Sequence, residues 1–208
     1  TLLQSGLAKS GAVYTIDQSL RFNVGDSPHL DRTPTSEGNR KTWTFSCWYK
    51  CVDPDMPTDS DFLSSTDGGG VTNEHWFRFT IRGTTNQIMV SPGSTYNVYG
   101  TSAYFRDPGA WYHIVLRVDT TQSSFSDRYR IYVNGTQHTL ITIATDTAGE
   151  PAQDVVTAIN STDKQSLMLY DNTPVYTSGY LAEVYMIDGT SLAPSSFAET
   201  DTTTNQWK

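Results

Sequence analysis

The sequence predicts an all-β chain, a single sandwich of two antiparallel sheets, and three observations point there. Apolar and polar residues alternate along most of the chain, and no stretch repeats its apolar residues at the helical period. The alternating runs are short and bounded by Gly, Pro, Asn, Asp or Ser. The composition also suits a pleated, half-buried surface: 12 Tyr, 5 Trp, 30 Thr and 21 Ser stand among 208 residues, and aromatic and β-branched side chains favour strands.

Taken in order, strands are expected over residues 19–22, 42–52, 74–81, 87–90, 112–119, 127–133, 137–141, 166–170 and 179–187. In the second, Trp43, Phe45, Cys47, Tyr49 and Cys51 share one face while Thr44, Ser46, Trp48 and Lys50 share the other, the pattern of a strand with one face in a core. In the third, Phe77, Phe79 and Ile81 form the apolar face and Trp76, Arg78 and Thr80 the opposite one. In the fifth, Tyr112, Ile114, Leu116 and Val118 face one way and His113 and Arg117 the other. Trp111, at the mouth of that strand, is expected to cap the core. In the sixth, Tyr129, Ile131 and Val133 face inward, and Asn134-Gly135-Thr136 supplies the left-handed turn of a tight hairpin to the seventh. Strands of this kind cannot bury their apolar faces singly, so two stacked sheets are expected. Residues 1–17 read as an arm docked onto another subunit, residues 18–197 as the one sandwich domain, and residues 198–208 as a tail.

Charge and cysteine use narrow the function. With 14 Lys+Arg against 22 Asp+Glu, a net charge of −8 argues against nucleic acid as a partner, because phosphate recognition needs a basic patch. No apolar run approaches the roughly 20 residues that cross a bilayer, and the opening residues lack a signal-peptide pattern. No membrane insertion is therefore expected. Cys47 and Cys51 lie four residues apart on one strand, about 13 Å at roughly 3.3 Å per residue, too far for a disulfide. Both are expected as buried, inert thiols.

Four segments in succession carry a family resemblance: SLRFNVGDSPHLDRTPTSEGNRKTWTFSCWYK, RDPGAWYHIVLRVDTT, DRYRIYVNGTQ and GYLAEVYMIDGTSLAPSSFAETD. Together they resemble the laminin-G-like, concanavalin A-like jelly-roll domains of tailed-bacteriophage structural proteins. That resemblance implies a non-enzymatic virion module, a fibre part or a capsid or tail decoration, assembled in the host cytoplasm and exposed on the particle. Its implied partners are other virion proteins, copies of itself and host surface polysaccharide; the alternative is a free lectin. The resemblance is weakest over residues 52–72 and 145–164, which read as loops suited to recognition.

Catalysis, metal and sugar binding each have candidate residues. Glycoside hydrolases of this superfamily use a Glu-x-Asp-x-x-Glu strand; here Glu199-Thr200-Asp201 lacks the last carboxylate, so no enzyme activity is expected. No cofactor is expected either, although laminin-G-like domains often hold Ca²⁺ at a rim. Asp53, Asp55, Asp59 and Asp61 crowd one loop and are the candidate ligands, the competing reading being a solvated acidic loop. For sugar binding, an aromatic plate with nearby polar groups is needed. Trp76 and Arg78 on an outer sheet face, with Asp67, Asn73 and Tyr99 nearby, are the candidates; the competing reading has these aromatics packed under loops or against a neighbour.

Overall fold

The computed structural model describes residues 18–52, 59–66, 72–171 and 174–208. Among them fifteen strands run in chain order: β1 (Leu20–Phe22), β2 (Leu30–Arg32), β3 (Thr42–Lys50), β4 (Ser60–Thr66), β5 (Trp76–Ile81), β6 (Ile88–Ser91), β7 (Val98–Thr101), β8 (Trp111–Asp119), β9 (Tyr129–Val133), β10 (Thr136–His138), β11 (Leu140–Ala144), β12 (Lys164–Leu167), β13 (Leu169–Tyr170), β14 (Val175–Tyr176) and β15 (Gly179–Asp188). They form a six-stranded sheet, β1-β15-β3-β8-β9-β10, a seven-stranded sheet, β11-β7-β6-β5-β4-β12-β2, and a small ribbon of β13 and β14. All strand pairings are antiparallel. This is the expected β-sandwich. The predicted arm, residues 1–17, lies outside the described residues.

Aromatic pairs across the interlayer hold the sheets face to face. Trp43 meets Phe77 edge-on at 5.4 Å, Phe45 meets Phe79 at 6.0 Å, and Tyr49 meets Phe62 at 4.8 Å. Edge-to-face geometry of this kind adds about 0.5–1.5 kcal/mol per pair beyond area burial. Trp43 also satisfies its indole N–H by donating to Thr157 Oγ1 at 3.0 Å. No disulfide joins Cys47 and Cys51, which are fully buried on the same inner face, and burial pushes the Cys47 thiol far above its ordinary range.

Three local departures from the expected strands matter. The hairpin turns through Asn134 (φ 48°) and Gly135 (φ 76°) as expected, but residues 137–141 do not stay in one sheet. β10 pairs with β9, whereas β11 crosses to β7 of the other sheet. Residues 166–170 break at Met168, held at φ 60°, so that β12 stays in the seven-stranded sheet and β13 lifts onto its outer face. Asp127 and Arg128, expected at the start of a strand, belong instead to a single helical turn, Phe125–Arg128.

Trp111 does not cap the core. It shares parity with His113 and Arg117, so it points out of the six-stranded sheet and meets Tyr180 edge-on at 6.4 Å. The C-terminal residues also differ from a plain tail. Glu199 and Lys208 exchange two backbone hydrogen bonds at 2.8 Å, Asp201 accepts from the Thr203 and Thr204 amides, and Lys208 Nζ donates to Asp201 at 2.9 Å. The resulting hairpin lies against the outer face of the six-stranded sheet, where Trp207 stacks on His113 at 5.8 Å.

Candidate functional site

The outer face of the seven-stranded sheet carries the predicted sugar-binding residues that come together. On β5 the core side is Phe77, Phe79 and Ile81, all 1% exposed or less, so pleating turns Trp76, Arg78 and Thr80 outward. A bulge in β4 between Asp61 and Leu63 re-aims that strand, and Asp61 lands beside Arg78. Arg78 Nε and Nη2 donate to the two Asp61 oxygens at 2.7 and 2.8 Å, and Asp59 Oδ2 lies 3.7 Å from Nη2. Burial pushes the Asp61 carboxyl upward against the opposing pull of Arg78. Burial also works against the Arg78 charge, but its bonds to Asp61 outweigh that and raise its pKa. The guanidinium stays charged and is committed to Asp61.

The ribbon of β13 and β14 completes the site from above. Ser64 Oγ donates to the Leu169 carbonyl at 2.6 Å, and the Asp61 amide donates to Thr177 Oγ1 at 3.1 Å. These bonds pin the ribbon over β4. Tyr170 then lies with its ring 4.2 Å from the Arg78 guanidinium carbon, a cation–π contact. Trp76 Nε1 donates to the Tyr170 hydroxyl at 3.2 Å, and the two rings stand at 87° with centroids 6.3 Å apart. The result is an aromatic corner: two perpendicular plates, a fixed guanidinium at their junction, and the third-exposed Asp59 carboxylate at one edge. At the other end His75 Nδ1 pairs with Asp163 at 2.6 Å, and Ser161 Oγ donates to the same carboxylate.

The remaining predicted residues divide. Asn73 sits at the nearby loop but uses both ends of its carboxamide there: Oδ1 accepts from the Thr95 amide at 2.9 Å and Nδ2 donates to Thr95 Oγ1 at 2.8 Å. Gly93 packs against this clamp so closely that an added Cβ would lie 2.6 Å from Asn73 Oδ1. Tyr99 is on the inner side of β7, 4% exposed, with the Phe125 ring tilted against it at 4.0 Å, so it offers no face to a ligand. Its neighbours in sequence are Val98 and Gly100, and parity sends Tyr99 inward between them. Asp53, Asp55 and Asp67 lie outside the described residues. Tyr170 was missed because 166–170 reads as one core strand, and the break at Met168 has no marker in the sequence.

Calcium ligation does not fit the acidic residues that are described. Both oxygens of Asp61 are taken by Arg78, whose positive charge stands where a cation would have to bind. Among the described residues no group of three His, Cys, Asp or Glu could hold a metal ion.

A laminin-G-like family model, described as the concanavalin A-like lectin/glucanases superfamily, matches residues 25–192. The chain belongs to this family. Solved structures similar to this laminin-G-like domain share its fold at low identity. The CBM40 of the Ruminococcus gnavus IT-sialidase, solved bound to α2,3-sialyllactose, has TM-score 0.53 and 15% identity, over 80% of this chain and 95% of that one. Domain 4 of AbnA, a GH43 extracellular arabinanase from Geobacillus stearothermophilus solved with arabinotriose, has TM-score 0.52 and 20% identity, over 80% and 68%. The heptameric SAP-like pentraxin from Limulus polyphemus has TM-score 0.52 and 11% identity, over 81% and 74%. Among curated protein sequences none matches. The laminin-G-like domain therefore has a lectin-type fold whose neighbours include carbohydrate-binding modules.

Proposed function

We propose that this laminin-G-like domain is a non-catalytic carbohydrate-binding module whose sugar site is the outer face of the seven-stranded sheet. The observation that carries the reading is the perpendicular Trp76–Tyr170 pair beside the Arg78–Asp61 bridge. A pyranose ring stacks its C–H face on one plate while the second blocks its edge, and its hydroxyls donate to the Asp59 carboxylate. Arg78 acts as a positioning residue here, since its hydrogen-bonding edge is committed to Asp61 and its face fixes Tyr170. The carbohydrate-binding neighbours support this class of ligand.

The absence of catalysis is part of the proposal. Asp201, the carboxylate nearest to a hydrolase motif, is held down to about 2 by Lys208 and by the Thr203 and Thr204 amides, the opposite of what a general acid requires. The resemblance of four segments to tailed-phage structural proteins supports a finer reading. In it the module is displayed on a virion, contacts copies of itself or other virion proteins, and touches host surface polysaccharide.

A glycan array of the full chain tests the proposal. Trp76→Ala should lower binding of the best ligand at least tenfold while the melting temperature shifts by only a few degrees. Unchanged array binding by Trp76→Ala would remove this face as the site.

A further inference from the structure

The opposite face of the sandwich carries three tryptophans that the site above does not use. On the outer side of the six-stranded sheet, Trp48 of β3 is the register partner of His113 on β8, and Trp111 stands two residues before His113 on the same strand. Trp207 reaches them from the C-terminal hairpin. The three indoles wall a cleft of about 510 Å³ whose remaining lining is Asn134, Thr200, Asn205 and Gln206. Three carboxamides and a hydroxyl among three indoles, with no ionisable side chain in the lining, suit an uncharged ligand rich in hydroxyls.

The cleft is built in advance of any ligand. Trp207 Nε1 donates to His113 Nδ1 at 2.9 Å, and its ring is stacked on the imidazole with 29° between planes. Because an indole nitrogen only donates, Nδ1 of neutral His113 must accept. Its proton is therefore on Nε2, directed at Ser46 Oγ 3.0 Å away. Burial lowers the His113 pKa to about 4, which keeps this arrangement intact at neutral pH. Gly135 lets the indole sit against the turn, since a Cβ there would lie 2.6 Å from the ring. The hairpin holds Asn205 at φ 56° beside Gln206 at the rim.

Hydrogen-bonding capacity is left over around these plates. Asn134 uses Oδ1 to accept the His113 amide at 2.9 Å, leaving Nδ2 to donate. Trp48, 6% exposed, lines the cleft with little open area, and its Nε1 is buried, so the capacity that a ligand can reach is that of the carboxamides. Rigid aromatic plates with unspent carboxamides are the elements from which sugar recognition is made, and plates that are already ordered lose little freedom on binding.

We propose that this tryptophan-walled cleft is a second, independent glycan site, selective for uncharged polysaccharide. It rests on different residues from the Trp76–Tyr170 corner, so the two stand or fall separately. The test is calorimetric titration of the full chain with laminarin, mannan and dextran as neutral probes and alginate as an anionic one. The proteins compared are wild type, Trp76→Ala, Trp111→Ala and the rim variant Asn205→Gly/Gln206→Ala, in which glycine keeps the left-handed φ of 56° at residue 205.

Trp76→Ala should retain binding of at least one neutral probe. Trp111→Ala should weaken that same probe at least tenfold and the rim variant at least threefold, with alginate binding unchanged in both. The rim variant alters exposed side chains only and keeps the test decisive if Trp111→Ala fails to fold. The proposal is overturned if no neutral probe binds Trp76→Ala at millimolar concentration, or if Trp111→Ala and the rim variant bind every probe as wild type does. It is also overturned if Trp111→Ala abolishes only self-association in ultracentrifugation, which would make the cleft a protein contact.

Discussion

His113 makes the stability of the domain depend on pH in a direction and window that can be worked out. The residue is 1% exposed, and burial lowers its pKa from 6.5 to about 4 in the folded chain. Between those values the unfolded chain binds a proton at this position and the folded chain does not, so stability falls as pH drops from 6.5 towards 4. At about 1.4 kcal/mol per tenfold difference in proton affinity, the loss sums to roughly 3 kcal/mol. Asp61 titrates in the opposite sense, because its raised carboxyl pKa favours the folded state at acid pH, so the wild-type curve alone is ambiguous. The assay is therefore urea denaturation at pH 7.0, 6.0, 5.0 and 4.5 for wild type and His113→Asn. The asparagine keeps an acceptor near Trp207 but cannot titrate. Wild type should lose roughly 2–3 kcal/mol more than the variant over this range. Parallel curves for the two proteins would refute the burial and the neutral state assigned to His113.

Four further outcomes follow from the packing. Trp43→Ala should cost about 3–5 kcal/mol, as buried Trp truncations do, whereas Trp111→Ala should cost under about 1 kcal/mol because its ring is on the surface; denaturant melts separate them. Removing Arg78 by mutation to Met strands the fully buried Asp61 carboxylate and should cost about 3–5 kcal/mol, with most of it recovered in Arg78→Met/Asp61→Leu. Gly135→Ala meets both a left-handed φ and the Trp207 ring, so a loss of about 1–2 kcal/mol and a shift in tryptophan emission are expected. Ellman's reagent should titrate no thiol in the native protein and two after unfolding, since both cysteines are fully buried.

Alternation alone located much of the sandwich. The inward set of Trp43, Phe45, Cys47, Tyr49 and Cys51, the outward set of Trp76 and Arg78, and the Asn134-Gly135 turn are all local patterns that survive into the fold. β4 escaped notice because its sequence, SDFLSST, does not alternate: Phe62 and Leu63 stand side by side among polar residues, and the bulge between Asp61 and Leu63 shifts the period. The strand β8 is more instructive. Trp111 was expected to cap the core although His113 and Arg117, of the same parity, were already assigned outward; residue size overrode the period, and the period was right. The two aromatic sites were only half legible. Trp76 and Arg78 lie two residues apart, but Tyr170 reaches them across 94 residues from Trp76, and Trp207 reaches His113 across the same sequence distance. Contacts of that kind arise from chain topology and leave no signature in spacing.

The claim on which the account depends is that the outer face of the seven-stranded sheet binds sugar through Trp76. Its five tryptophans give five indole N–H resonances, which can be assigned by single Trp→Phe substitutions and followed by two-dimensional NMR during titration with the best ligand from the array. The Trp76 resonance should move saturably with ligand, because its indole N–H is bonded to Tyr170 at the site, while that of Trp43, fully buried between the sheets, should stay in place. A saturable titration in which the Trp76 resonance does not move would contradict the account.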